Sequence, residues 1–325
     1  MIYVKYDSTD ANFNFALEKY LVEELDIAEG YFLFWRTTPT LMIGRYQNAL
    51  AEINMDYAKA HEIHIVRRVT GGGTIYTDMN GWQFSFINKR MGKKEIDFHT
   101  YTLPIIEALA SLGVTAVKSG RNDILIDGKK FSGNAQYIRK NVMLHHGSIL
   151  FDTDLSQLVR SLSPDDEKLI SKGIKSVKSR VTNVAEHMDT KLDSLGFRDV
   201  MLNYLLADKE TYELTETDVA RVMEIKAAQF DSWDWNFGKS PKFNITKENR
   251  FSGGKLKVES FVRNGHIEQI KFYGDFFAKE GVSDIENTLI GCAYETQAIK
   301  KALQHFDAQS YFFNITLDEI LSCII

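Results

Sequence analysis

The chain has 325 residues, 44% of them hydrophobic and 26% charged, with only four prolines and a net charge of -5. A single core rarely grows past about 250 to 300 residues, so two domains are expected, and the composition leaves little room for disorder. The acidic balance supplies no field for nucleic acid or an anionic membrane, and neither a membrane-length apolar run nor a basic-then-apolar leader is found. Two cysteines, Cys292 and Cys323, support neither a disulfide framework nor a zinc site and fit a reducing cytoplasm.

In chain order, apolar residues at Phe13, Ala16, Leu17, Tyr20, Leu21 and Leu25 predict an amphipathic helix over Asn12 to Leu25. The short apolar runs Tyr31 to Trp35 and Leu41 to Gly44, split by Pro39, read as neighbouring strands. Met55 to His61 has helical composition, Ile63 to Arg67 alternates like a strand, and Trp82 to Ile87 returns to strand character. A helix over His99 to Leu112 ends at Gly113, where a left-handed cap forms easily. Ile124 to Ile126 and Lys129 to Phe131 flank Asp127-Gly128, a pair that favours a two-residue hairpin turn. Ser156 to Ala207 is mainly helical, interrupted by the basic segment Ser171 to Arg180, and helix resumes over Thr217 to Phe230. Beyond Gly238 and Pro241, strands at Lys255 to Arg263 and Ile267 to Tyr273 precede helices at Ile285 to Leu289 and Thr296 to Phe306. The domains are therefore drawn at 1–243 and 244–325.

Four constellations carry chemistry. Arg67-Arg68-Val69-Thr70-Gly71-Gly72-Gly73-Thr74-Ile75-Tyr76 strips the Cβ atoms from one short segment, so that backbone N–H groups can approach a phosphate or carboxylate, with two arginines to add charge. It lacks the Gly-Lys-Ser/Thr of a P-loop, and a plain turn is the alternative reading. In the hairpin, a two-residue turn sets Leu125 opposite Lys130 and Asp123 opposite Ser132, which places Asp123, Lys130 and Ser132 on one face and Lys129 in solvent. Asp123 and Lys130 are then either a carboxylate for Mg²⁺ beside an ammonium for acyl and phosphate oxygens, or a surface salt bridge. His145 and His146, adjacent on a strand, point to opposite faces and make a poor metal pair, so one is expected packed and one exposed. Ser148 has no partnered base that would make it a nucleophile. Lys172 to Arg180 is a solvated basic loop or a cover for a nucleotide phosphate.

Taken together, Gly44-Arg45-Tyr46-Gln47-Asn48, Arg67 to Asp78, Gly120 to Asp123, Lys130 to Ala135, His145-His146-Gly147 and Gly173 to Asn183 resemble the lipoate-protein ligase family through most of the chain. Trp233 to Gly238 is similar to the segment that leads into that family's accessory domain. The resemblance implies an α/β catalytic domain of the biotin and lipoate ligase type, related to class II aminoacyl-tRNA synthetase cores, with a small α+β C-terminal domain. It implies that ATP, Mg²⁺ and lipoate give lipoyl-adenylate, whose acyl group passes to a lysine of an apo lipoyl domain or glycine-cleavage H protein. On the matching positions, Lys130 and Asp123 carry the catalysis, with Asp123 placing Mg²⁺. Arg68, Thr70, Gly71, Gly72, Gly73, Thr74, Ile75, Tyr76, Asn122, Gly133, His146, Lys175, Ser176 and Val177 bind substrate and ATP. Thr77-Asp78 stands where the family usually has histidine-aspartate. Two rivals stay open: a non-catalytic or altered-specificity relative that binds lipoate or carrier, and an ATP-independent lipoyl transferase. The related cysteine-dependent transferases need an acyl-enzyme, for which no cysteine precedes Cys292.

Overall fold

The computed structural model describes residues 1–25, 29–47, 49, 53–89, 97–120, 122–162, 176–207, 209–237, 245–263 and 265–325. The chain divides into two compact units, the first made of Met1–Met42, Glu52–Val66 and Ile75–Asn236, the second of Ile43–Ala51, Arg67–Thr74 and Phe237–Ile325. The division at residue 243 read from the sequence lies outside the described residues.

The first unit contains β1 (Ile2–Lys5), β2 (Tyr31–Trp35), β6 (Gly81–Lys89), β7 (Val117–Ser119), β8 (Asp123–Ile126), β9 (Lys129–Arg139), β10 (Val142–Leu150) and β11 (Thr211–Glu213) in one sheet, ordered β11-β1-β2-β6-β10-β9-β8-β7. β1 runs parallel to both β2 and β11, and the pairings from β2 through β7 are antiparallel. A second sheet orders β4 (His64–Arg67), β3 (Thr40–Ile43) and β5 (Ile75–Thr77). β2 and β3 were expected to be neighbours; they lie in different sheets, because the Pro39 interruption redirects the chain rather than reversing it.

All five residues of β2 are buried, as a continuous apolar run requires when both faces of a sheet are covered. On one face Phe32, Phe34, Trp82, Phe84 and Phe86 meet Ile105 and Leu109 of α3 (His99–Ala110) and Phe197 and Met201 of α5 (Ser194–Leu205). Phe34 stacks on Trp82 at 5.0 Å and Phe151 on Phe197 at 4.4 Å. On the other face lies α1 (Ala11–Glu23), capped by Asp10, which accepts from the N–H groups of Asn12 and Phe13. Further helices among the described residues of this unit include α2 (Met55–Ala60), α4 (Leu155–Leu162) and α6 (Glu216–Ile225). Asp218 of α6 is buried and accepts from the Tyr20 and Tyr212 hydroxyls at 2.5 and 2.6 Å. Burial alone would raise its pKa; the hydrogen bonds from Tyr20, Tyr212 and Thr215 outweigh it and hold the carboxyl at about 2. The charged carboxylate thereby ties α6 and β11 onto α1.

The second unit contains an antiparallel meander, β12 (Ile245–Phe251), β13 (Gly254–Arg263) and β14 (His266–Gly274), with α7 (Ser283–Leu289), α8 (Thr296–Leu303), α9 (Ala308–Tyr311) and α10 (Leu317–Ile324). Leu256, Val258 and Phe272 from the strands bury against Leu289, Ile299, Phe312 and Ile320. Tyr46 joins this core, its ring stacked on Phe276 at 4.8 Å. The architecture is the α/β arrangement expected, a large mixed sheet with helices, and a small α+β unit toward the C-terminus.

Candidate active site

The β8–β9 hairpin forms as predicted. Asp127 and Gly128 both take positive φ, 49° and 76°, the pair of values that a two-residue type I′ turn demands. Near the turn the register is the expected one, with Leu125 opposite Lys130. It then slips at a bulge by one residue, so that Asp123 faces Gly133 and Ser132 faces Ile124. Ser132 therefore leaves the Asp123 and Lys130 face and is buried opposite a core side chain. Lys129, expected in solvent, is only partly exposed, since it sits opposite the buried Ile126.

Lys130 Nζ lies 2.7 Å from Asp123 Oδ1, and each side chain is 37% exposed. An ion pair this accessible contributes about 0 to 1 kcal/mol to stability, so folding alone gives little reason for it. A Cβ at Gly133 would come within 3.0 Å of Lys130 Cε and Nζ, so the glycine clears the space in which the ammonium lies. Asn122 and Asn134 bind each other across the strand ends, the Asn122 side-chain amide donating to the Asn134 carbonyl at 2.7 Å and that of Asn134 to the Asn122 carbonyl at 3.1 Å.

The basic segment meets this hairpin through its far end. Val181 bridges to Lys130 in parallel fashion, and Thr182 N–H donates to the Lys130 carbonyl at 3.0 Å. Residues 176–180, expected in a loop, form a helical turn in which Arg180 donates to the carbonyl and hydroxyl of Ser176. Ser176 and Val177 thus sit one turn before Lys130's neighbour; Lys175, Arg121 and Asn48 lie outside the described residues.

The glycine segment belongs to the second unit up to Thr74. Both arginines are buried and hydrogen bond to main-chain and hydroxyl oxygens. Arg67 Nη1 donates to the carbonyls of Gly44, Arg45 and Gln47 at 2.9, 3.1 and 2.7 Å. Arg68 donates to Thr70 Oγ1 and to the carbonyls of Gly71 and Gly73 at 3.1, 2.9 and 2.8 Å, a brace across its own loop. Gln47 Oε1 accepts from Gly44 N–H and from Thr74 Oγ1. Gly71 is needed because a Cβ there would meet the Phe276 carbonyl oxygen at 2.2 Å. The arginines, read from the sequence as charge for a ligand, make these hydrogen bonds within the segment and its neighbouring turn. In the first unit, Ile75 and Tyr76 continue as β5 against Met42 and Leu41, and burial pushes the Tyr76 phenol up.

Residues 10–206 match the lipoyl protein ligase A/B catalytic domain and residues 240–324 the bacterial lipoate protein ligase C-terminus. The chain is 40% identical over 320 residues to the lipoate-protein ligase LplJ of Bacillus subtilis, covering 97% of each. This chain belongs to the lipoate-protein ligase family. It is also 38% identical over 315 residues to lipoate-protein ligase 1 of Staphylococcus aureus, covering 96% of each. The solved structure of P. falciparum LipL1 in complex with lipoate shares the fold at TM-score 0.79 and 21% identity over 94% of each chain. The structure of a bi-partite lipoate protein ligase and its E2 lipoyl domain from Thermoplasma acidophilum matches at TM-score 0.65 and 26% identity, over 75% of this chain and 98% of that one.

Thr77 is buried and its hydroxyl accepts from Gln83 Nε2 at 2.9 Å. Of the histidine pair, one was expected exposed; both are buried, because α3 and α1 cover opposite faces of the sheet. His145 stacks on Tyr101 at 4.9 Å and hydrogen bonds Gln136 and Asn134. His146 Nδ1 lies 3.0 Å from Glu18 Oε1, and Ser85 Oγ donates to the same oxygen at 2.6 Å. Glu18 is 1% exposed, a carboxylate whose desolvation costs several kcal/mol unless such partners offset it. The sequence reading missed it, since a lone acid among apolar helical positions carries no signal of burial.

Burial pushes the His145 imidazole well below its ordinary range, and the neighbouring His146 acts in the same direction. The unfolded chain binds that proton near pH 6.5 while the folded chain does not. Stability from this site is therefore present above about pH 6.5 and lost as the pH falls below it. The titration midpoint of the His145 ring resonances should fall below the ordinary imidazole value of about 6.5; a midpoint at that value would contradict the burial.

Proposed function

We propose that this chain joins lipoate to a carrier-protein lysine at the expense of ATP. A lipoate carboxylate oxygen attacks the α-phosphorus of ATP and pyrophosphate leaves; the carrier's lysine amine then attacks the acyl carbonyl, loses a proton and expels AMP. The carrier is an apo lipoyl domain or a glycine-cleavage H protein. One observation carries the reading: an accessible ammonium and carboxylate 2.7 Å apart, with the exit of the basic segment hydrogen-bonded to the Lys130 main chain itself. That places the hairpin beside the segment that resembles the family's adenylate-binding loop. A solved lipoate-protein ligase A bound with ATP supports the nucleotide.

Lys130 would stabilise negative charge developing on phosphate and acyl oxygens in both steps. Among the described residues no cluster of three or more His, Cys, Asp or Glu side chains is arranged for a metal. A single carboxylate still suits Mg²⁺, which takes most of its oxygens from water and substrate phosphates, and Asp123 is the residue that would hold it. The protein supplies no nucleophile, and the free cysteines, Cys292 and Cys323, both belong to the second unit.

The test is lipoate-dependent exchange between pyrophosphate and ATP, run beside octanoate, followed by mass analysis of an apo lipoyl domain. Exchange together with a lipoyl mass gain is expected. Binding of lipoate without exchange would leave a non-catalytic relative, and modification from a lipoylated donor without nucleotide would leave a transferase.

A further inference from the structure

The hairpin that bears Asp123 and Lys130 ends in a tip that stands in open space: a Cβ at Gly128 would find nothing within 4 Å, and the Asp127 side chain is 81% exposed. Only Lys129 separates that tip from Lys130. A side chain in another element reaches it. His187 closes the 3-10 helix Val184–His187, with Nδ1 3.3 Å from Asp127 Oδ2 and Nε2 2.9 Å from Thr182 Oγ1. Thr182 is the residue whose N–H donates to the Lys130 carbonyl, and its side chain is buried. Next to it, Asn183 is pinned to the main chain of Thr153, accepting from its N–H and donating to its carbonyl at 3.1 Å each.

These contacts form a closed ring: Lys130 main chain, Thr182, the His187 imidazole, Asp127, and back through the turn to Lys130. One imidazole nitrogen meets the Asp127 carboxylate and the other the Thr182 hydroxyl, which also donates to Glu186 Oε2 at 3.3 Å. The Asp127 end is solvent-exposed and contributes little to global stability, whereas a hinge of two turn residues is where a small ordering contact controls where Lys130 points. Displacing a catalytic group by about 1 Å can cost about 100-fold in rate.

We propose that His187 is a positioning residue for Lys130, bracing the hairpin tip against the segment that leaves the adenylate-binding region. This rests on the reading of Lys130 as the group that stabilises the reacting oxygens.

The experiment measures ligation of lipoate to an apo lipoyl domain, with thermal midpoints recorded for every variant. His187→Ala is expected to lower kcat about tenfold or more with KM for lipoate little changed, and His187→Gln, which keeps a donor and an acceptor, to recover most of the loss. Asp127→Gly, which removes the carboxylate and keeps the left-handed turn, should reproduce part of the defect if His187→Ala proves unstable. On a Lys130→Ala background, His187→Ala should add no further loss. Normal kcat in a folded His187→Ala or Asp127→Gly variant overturns the brace, as does a full additive loss without Lys130. If Lys130→Ala itself keeps normal kcat, the assignment of Lys130 fails first, and a kcat loss in His187→Ala would then need another cause, which also sinks the brace.

Discussion

Lys130→Ala should lower kcat/KM for ligation by about 100- to 1000-fold while leaving the thermal midpoint nearly unmoved. The two halves of that expectation come from separate observations. The ion pair with Asp123 is 37% exposed on each side, so its removal releases little folding energy, about 0 to 1 kcal/mol. The ammonium is nonetheless the charged donor on the hairpin that meets the basic segment, and a donor aimed at developing negative charge is among the largest contributors to rate. Lys130→Arg should restore only part of the activity, because a planar guanidinium will not fit over Gly133, whose missing Cβ leaves 3.0 Å to the lysine terminus. Steady-state kinetics and a melting curve on the same preparations decide it; a Lys130→Ala enzyme that melts early and recovers activity on cooling would mean the residue is structural.

Gly44→Ala should be more damaging to the fold than any exposed substitution. A Cβ at Gly44 would lie 1.8 Å from the carbonyl oxygen of Gly72 and 2.9 Å from its carbonyl carbon, and both contacts are with main chain, which cannot rotate away. Overpacking costs about 1 to 3 kcal/mol where side chains can yield, so the upper end or beyond is expected here. Gly113→Ala is the control: its φ is +79°, yet nothing lies within 4 Å, so only left-handed strain of about 1 to 2 kcal/mol applies. Urea midpoints should separate the two variants clearly. Gly44→Ala should also lose ligation, since Arg67 gathers the carbonyls of that turn and Arg68 those of the glycine segment. Equal midpoints for the two variants would refute the close approach.

Some of this was legible from residue order alone. α1 and α3 follow from apolar spacing, and the Asp127-Gly128 pair announces the hairpin, so the neighbourhood of Asp123 and Lys130 could be worked out from a two-residue turn. The same arithmetic failed two residues further on, because no glycine or proline marks the bulge that sends Ser132 inward. Burial on both faces explains the error over the histidines: a strand shows which residues alternate, but the helices that cover each face come from elsewhere in the chain. Glu18 was invisible for the same reason, its partners lying 67 and 128 residues away at Ser85 and His146. Arg67 and Arg68 illustrate a further limit. Several of their partners are main-chain oxygens, which every residue has, so no pattern of side chains reveals where a guanidinium will settle. β1 and β11 were not read from the sequence.

β1 and β11 also bear on how the chain is made. Tyr3 pairs with Thr211, so the strand that emerges early from the ribosome waits for a neighbour about two hundred residues behind it. At the usual synthesis rate of about 5 to 20 residues per second, that delay is about 10 to 40 seconds, during which one rim of the large sheet stays open. Closing so distant a pairing is slow once the chain is released, and the nascent catalytic unit is most exposed to edge-to-edge association in that interval.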